Sequence, residues 1–148
     1  MELNDITRTI IGCAIKVHSR LGPGVLENSY EACLAHDLEK AGLKVLRQVG
    51  LPLVYEGVNL DVGYRLDLLV ENEIVVEVKA QNELLPVHKA QLLSHLRLSG
   101  RQVGLLINFH ELLLKNGIIR MVNNYQVPSA SSQLALAASA LKRLEDRG

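Results

Sequence analysis

At 148 residues and 16.3 kDa, with 48% hydrophobic and 22% charged residues, the chain is long enough to bury a core without disulfides or a structural metal. Its 16 Lys and Arg balance 16 Asp and Glu, so no overall positive field draws it to nucleic acid, and 3% aromatic content argues against a tight binder built on base stacking. No apolar run reaches membrane-spanning length and no charged start precedes an apolar stretch, so the expectation is a cytoplasmic domain.

Charge is unevenly spread. Acids outnumber bases in residues 1–85, whereas 86–120 hold Lys89, Arg97, Arg101, Lys115 and Arg120 against Glu111 alone. An acidic half beside a basic one fits a metal site next to a phosphate-binding surface, and it fits ordinary surface scatter equally well.

The first helix is announced by Ile6, Ile10, Cys13, Ala14, Val17 and Leu21 at helical spacing, with Asn4 as N-cap. Leu21-Gly22-Pro23-Gly24 breaks the chain. A second helix is predicted from about 25 to 41 with Leu26, Tyr30, Cys33, Leu34 and Leu38 on its apolar stripe and Gly42 past its end. Cys13 and Cys33 sit on these stripes and read as buried thiols rather than a disulfide. From Leu43 the period becomes two. Short strands are predicted near 44–49, 51–56 and 58–64, separated by Gly50, Pro52, Gly57 and Gly63, then stronger strands over 65–70 and 74–80. Pro86 opens a helix that runs to about Leu98 and ends at Gly100. The apolar run 102–108 suits a buried strand, and 117–122 suits one more. Beyond residue 124, Pro128 and a Ser-rich stretch read as a linker, and 134–144 as an Ala/Leu-rich amphipathic helix.

The hairpin at 65–80 carries the chemistry. If Glu71-Asn72-Glu73 is a three-residue turn with Asn72 in the left-handed region, Val70 pairs with Ile74 and Asp67 falls opposite Glu77. One face then carries Leu66, Leu68, Val70, Ile74, Val76 and Val78; the other carries Asp67, Leu69, Val75, Glu77 and Lys79. A one-residue slip would mix charge into the apolar face, so burial selects this register. Two opposed carboxylates with a lysine beside them suit a hard divalent cation such as Mg²⁺, which can hold a phosphate oxygen and acidify a bound water. The same three residues also suit a solvated sheet face. Glu27 reads as an acid in the first turn of a helix, where the dipole favours it. His88, Gln91 and His95 form one polar stripe on the third helix, with the two histidines two turns apart and too distant to share a metal.

Taken together these segments resemble a known family. Gly24-Val-Leu-Glu27-Asn-Ser-Tyr30 matches the signature of the GxxExxY proteins, followed in the same order by Gly63-Tyr64-Arg65-Leu66-Asp67, Glu77-Val78-Lys79-Ala80 and Leu84-Leu85-Pro86-Val87-His88 through Gln91-Leu92-Leu93-Ser94. Those proteins resemble the PD-(D/E)xK nuclease superfamily, with a restriction-endonuclease-like αβββαβ core in which helices flank a mixed sheet. The resemblance implies a nuclease-like domain over residues 1–124, followed by a linker and amphipathic helix over 125–148 that offers a surface for a second copy or a protein partner. It implies that Asp67 and Glu77 ligate Mg²⁺ or Mn²⁺, that Lys79 is the catalytic lysine, that Glu27 is a helix-borne acid approaching the metal, and that Gln91 takes part in the site. The related pattern has a tyrosine where this chain has His95. Tyr30 matches the signature, but its place on the apolar stripe points to packing. The activity implied is phosphodiester hydrolysis of nucleic acid, DNA rather than RNA. The other class left open is a catalytically silent member of the same fold that binds protein or nucleic acid.

Overall fold

The computed structural model describes residues 1–124 and 141–144. Its elements run α1 (Leu3–Leu21), α2 (Glu27–Lys40), β1 (Val45–Tyr55), β2 (Val58–Val70), β3 (Ile74–Lys79), α3 (Pro86–Ser99), β4 (Val103–Asn108), a 3₁₀ turn (Leu114–Gly117) and β5 (Ile118–Val122). The five strands form one sheet in the order β1-β2-β3-β4-β5. β3 and β4 are parallel, joined by α3 as a crossover, and every other neighbouring pair is antiparallel. This is the mixed, helix-flanked sheet expected from the sequence.

Each face of the sheet buries its own cluster. On one, Ile6, Ile10, Ala14 and Val17 of α1 and Tyr30, Leu34 and Leu38 of α2 pack on Leu68, Val70, Ile74, Val76, Val78, Leu105 and Ile107. Each buried aliphatic side chain contributes about 2 kcal/mol. On the other, Leu92 and Leu96 of α3 pack on Leu66, Leu69, Val75 and Leu106. With helices on both faces, β4 is buried along its whole length, which is why its sequence is a continuous apolar run without alternation. The cysteines are free and half-buried against the first cluster, and burial pushes the Cys13 thiol up. Gly42 closes α2 as foreseen. At φ 90° it lets its own N–H reach Glu39 O (2.9 Å) and the Leu43 N–H reach Leu38 O (3.1 Å), satisfying two terminal carbonyls.

Four local expectations change. The N-cap of α1 is Glu2, so Asn4 lies within the helix. α2 starts at Glu27, leaving Leu26 outside it and 77% exposed. The three short strands do not exist as such, because β1 and β2 run through Gly50, Pro52 and Gly63 as two long arms of one hairpin. β1 is an edge strand, where a proline missing its N–H is tolerated, and the register shifts between Leu51 and Leu53 around it. Finally, Leu66 belongs to the α3-side cluster although Leu68 belongs to the other. Between their partners on β1 sits Gln48 at φ 52°, a left-handed residue that breaks the alternation. The linker and most of the helix expected over 125–148 lie outside the described residues; 141–144 are helical, with Leu141 and Leu144 exposed. Among the described residues no helix is long and apolar enough to cross a membrane.

Candidate active site

The hairpin register is the one the apolar face demanded. Val70 pairs with Ile74, Leu69 with Val75 and Leu68 with Val76, while Glu71 and Asn72 both turn through the left-handed region at φ 52° and 56°. The ladder stops there. Asp67 and Glu77, next in line, are not paired, because β2 leaves β3 after Leu68.

That divergence exposes backbone N–H groups of β3, and a buried strand cannot leave donors unmet. Carboxylates take the place of the missing strand. Oδ2 of Asp67 accepts from the Val78 N–H at 2.8 Å, and Oε2 of Glu27 accepts from the Ala80 N–H at 3.2 Å. One acid from β2 and one from the first turn of α2 therefore bracket Lys79, which is half-buried at the end of β3. The segment beyond is held by buried Asn108, whose Oδ1 accepts from the Gln81 N–H (3.0 Å) and whose Nδ2 donates to Gln81 O (2.9 Å).

Glu77 points to the α3 side and is 5% exposed. The Nδ1–H of His95 donates to its Oε1 at 2.7 Å. Burial pushes the Glu77 carboxyl up to about 7, with the charge of Asp67 adding to the rise and the His95 hydrogen bond only partly offsetting it. Glu27 is itself positioned by the loop before it. The Tyr30 hydroxyl donates to Gly22 O and accepts from the Val25 N–H (3.1 Å), while its ring stacks on Phe109 at 4.6 Å. Tyr30 is thus core, as expected, and also the tie that fixes the chain entering α2.

Gln91 does not touch the carboxylates. It is exposed one turn before His95 and lines, with Ser94, Arg97, Tyr64 and Leu53, a groove of about 500 Å³ between α3 and the outer arm of the hairpin that opens onto His95. His88 leaves the stripe to serve its own helix, its Nδ1 accepting from the Leu85 N–H at 2.9 Å. Sequence reasoning left the role of His95 open and missed Gln48, Glu31 and Asn108. His95 reaches Glu77 from α3, and Gln48 and buried Glu31 stand behind Asp67. Asn108 had a local signal, a polar residue ending an apolar strand; Gln48 had none.

Among the described residues no three His, Cys, Asp or Glu side chains form a ready cage for an ion. The donor set nevertheless fits a hard divalent cation: the charge of Asp67 adds to the rise at the Glu77 carboxyl, and a cation beside the two would relieve it.

A splayed β-hairpin carrying Asp, then Glu-x-Lys, with an acid from a preceding helix, sits within a sequence that matches the family model of the PD-(D/E)XK nuclease superfamily over residues 4–121. The chain belongs to this superfamily. A solved structure of an alkaline exonuclease, LHK-Exo from Laribacter hongkongensis, is similar over 95% of this chain and 93% of that one, at 14% identity and a TM-score of 0.41. No curated protein matches the sequence.

Proposed function

We propose that the chain is a metal-dependent nuclease of the GxxExxY kind that hydrolyses phosphodiester bonds in DNA. The observation that carries this reading is the bracketing of Lys79 by Asp67 and Glu27 where β2 leaves β3, in a chain of nuclease-superfamily sequence. Asp67 and Glu77 would hold Mg²⁺ or Mn²⁺, with Glu27 beside them; such an ion supplies a water of lowered pKa and charge for the phosphate oxygen. Lys79 orients the nucleophile and stabilises the charge that develops on the phosphate. His95 keeps Glu77 turned toward the site, and Gln91 meets the substrate along the groove. Lys89 and Arg97 on α3 support a phosphate-bearing substrate on that side, whereas Lys115 and Arg120 lie beside α1.

The test is incubation of purified protein with plasmid, single-stranded DNA and RNA in Mg²⁺ or Mn²⁺, beside a Lys79→Ala variant. Cleavage of DNA by the parent protein and not by the variant is expected. Equal activity in both, on every substrate, would sink the proposal.

A further inference from the structure

The backbone of β1 is abnormal at one residue, and that residue faces the candidate metal ligand. Gln48 has φ 52°, a conformation an L side chain adopts at a cost, in the middle of a strand. Its strand neighbours pair regularly, Arg47 with Leu68 and Val49 with Leu66, so Gln48 stands opposite Asp67. The turned-out carbonyl of Gln48 lies 3.4 Å from Nη1 of Arg65. Its Nε2 donates to Oε1 of Glu31 at 2.6 Å and lies 3.5 Å from Oδ1 of Asp67. Glu31 is 3% exposed on α2, one turn after Glu27, and its other oxygen accepts from Nη2 of Arg47 at 2.9 Å.

From this geometry we infer that Gln48 is a positioning residue for the metal site, carried on the Glu31 carboxylate. Asp67 has two oxygens with different duties. Oδ2 is fixed by the Val78 N–H, and Oδ1 faces the Gln48 amide, so the carboxylate plane is set by a backbone donor on one side and an amide on the other. An amide suits this place. It donates to Glu31 without adding charge, whereas a lysine would compete with a cation for Asp67 and an acid would repel both carboxylates. Glu31, locked by Arg47, keeps the amide from rotating away. The unfavourable backbone at Gln48 is what brings its side chain round to Glu31 and Asp67.

This inference rests on the reading of Asp67 as a metal ligand, and the experiment separates the two. Mg²⁺ binding to EDTA-treated protein is measured by titration calorimetry for the parent, Asp67→Asn, Gln48→Gly and Gln48→Met, with a thermal melt of each in EDTA. Glycine tolerates a φ of 52°, so Gln48→Gly is expected to melt at or above the parent temperature while binding Mg²⁺ roughly 10–100-fold more weakly. Gln48→Met keeps length and backbone strain but has no amide, and the same loss of affinity is expected. Affinity within twofold of the parent in both variants overturns the role of Gln48 and leaves Asp67 as ligand. Weaker binding matched by a lower melting temperature in both variants also overturns it, since Gln48 would then act on the fold alone. A parent protein that binds Mg²⁺ no better than Asp67→Asn overturns both readings.

Discussion

Replacing Glu77 with glutamine should make the metal-free protein more stable at alkaline pH while disabling it. The carboxyl is 5% exposed and is pushed from 4.5 to about 7 by burial and by Asp67. Its folded-state pKa is above the unfolded value, so stability is full below about pH 4.5 and is lost as pH rises through 7. A rise of that size corresponds to about 3 kcal/mol across this window. Glutamine cannot ionise, so Glu77→Gln removes the loss and keeps an acceptor oxygen for the Nδ1–H of His95. Allowing about 1 kcal/mol for a poorer hydrogen bond, the variant should exceed the parent by about 2 kcal/mol at pH 8 in EDTA. For a chain of this size that is a rise in Tm of roughly 5 °C. Urea titrations from pH 4.5 to 8.5 measure it directly. Below pH 5 the gain disappears, and the variant should fall about 1 kcal/mol below the parent. Adding Mg²⁺ at pH 8 should then stabilise the parent and not the variant, because the cation replaces the missing counter-charge. Parallel pH profiles for the two proteins in EDTA would refute the claim that Glu77 is a strained carboxylate.

Asp67→Asn retains an oxygen for the Val78 N–H, so its melting temperature should stay within about 2 °C while calorimetric Mg²⁺ binding disappears. Tyr30→Phe leaves the Val25 N–H and Gly22 O without their partner and should cost about 1–3 kcal/mol by urea titration. It should also lower kcat, because the loop it ties leads into Glu27. Gly117→Ala should destabilise more than Gly104→Ala, measured in the same way. A Cβ at 117 would sit 2.6 Å from the backbone oxygen of Asn108, whereas at 104 it meets only the movable ends of Leu92 and Leu96.

How much of this was legible beforehand follows from the range of the forces involved. The helices and strands declare themselves through periodicity, and the register of β2 on β3 through the need to keep charge off a buried face; both are properties of neighbours in the chain. Pro52 and Gly63 misled because, on an exposed hairpin arm, the backbone tolerates residues that would end a buried strand. The composition named the chemically able side chains, Asp67, Glu77 and Lys79, and put them on one hairpin. It left open whether they meet anything. That depended on where β2 leaves β3, which exposes the N–H groups of Val78 and Ala80 to carboxylates from β2 and from α2, the latter 53 residues away in the chain. It also depended on α3 packing close enough for His95 to reach Glu77, and on a left-handed turn at Gln48 that no local pattern announces. A period along the chain reports which face is buried. Which polar groups are left facing one another at the opening of a sheet is set by how the layers close, and only the tertiary structure decides it.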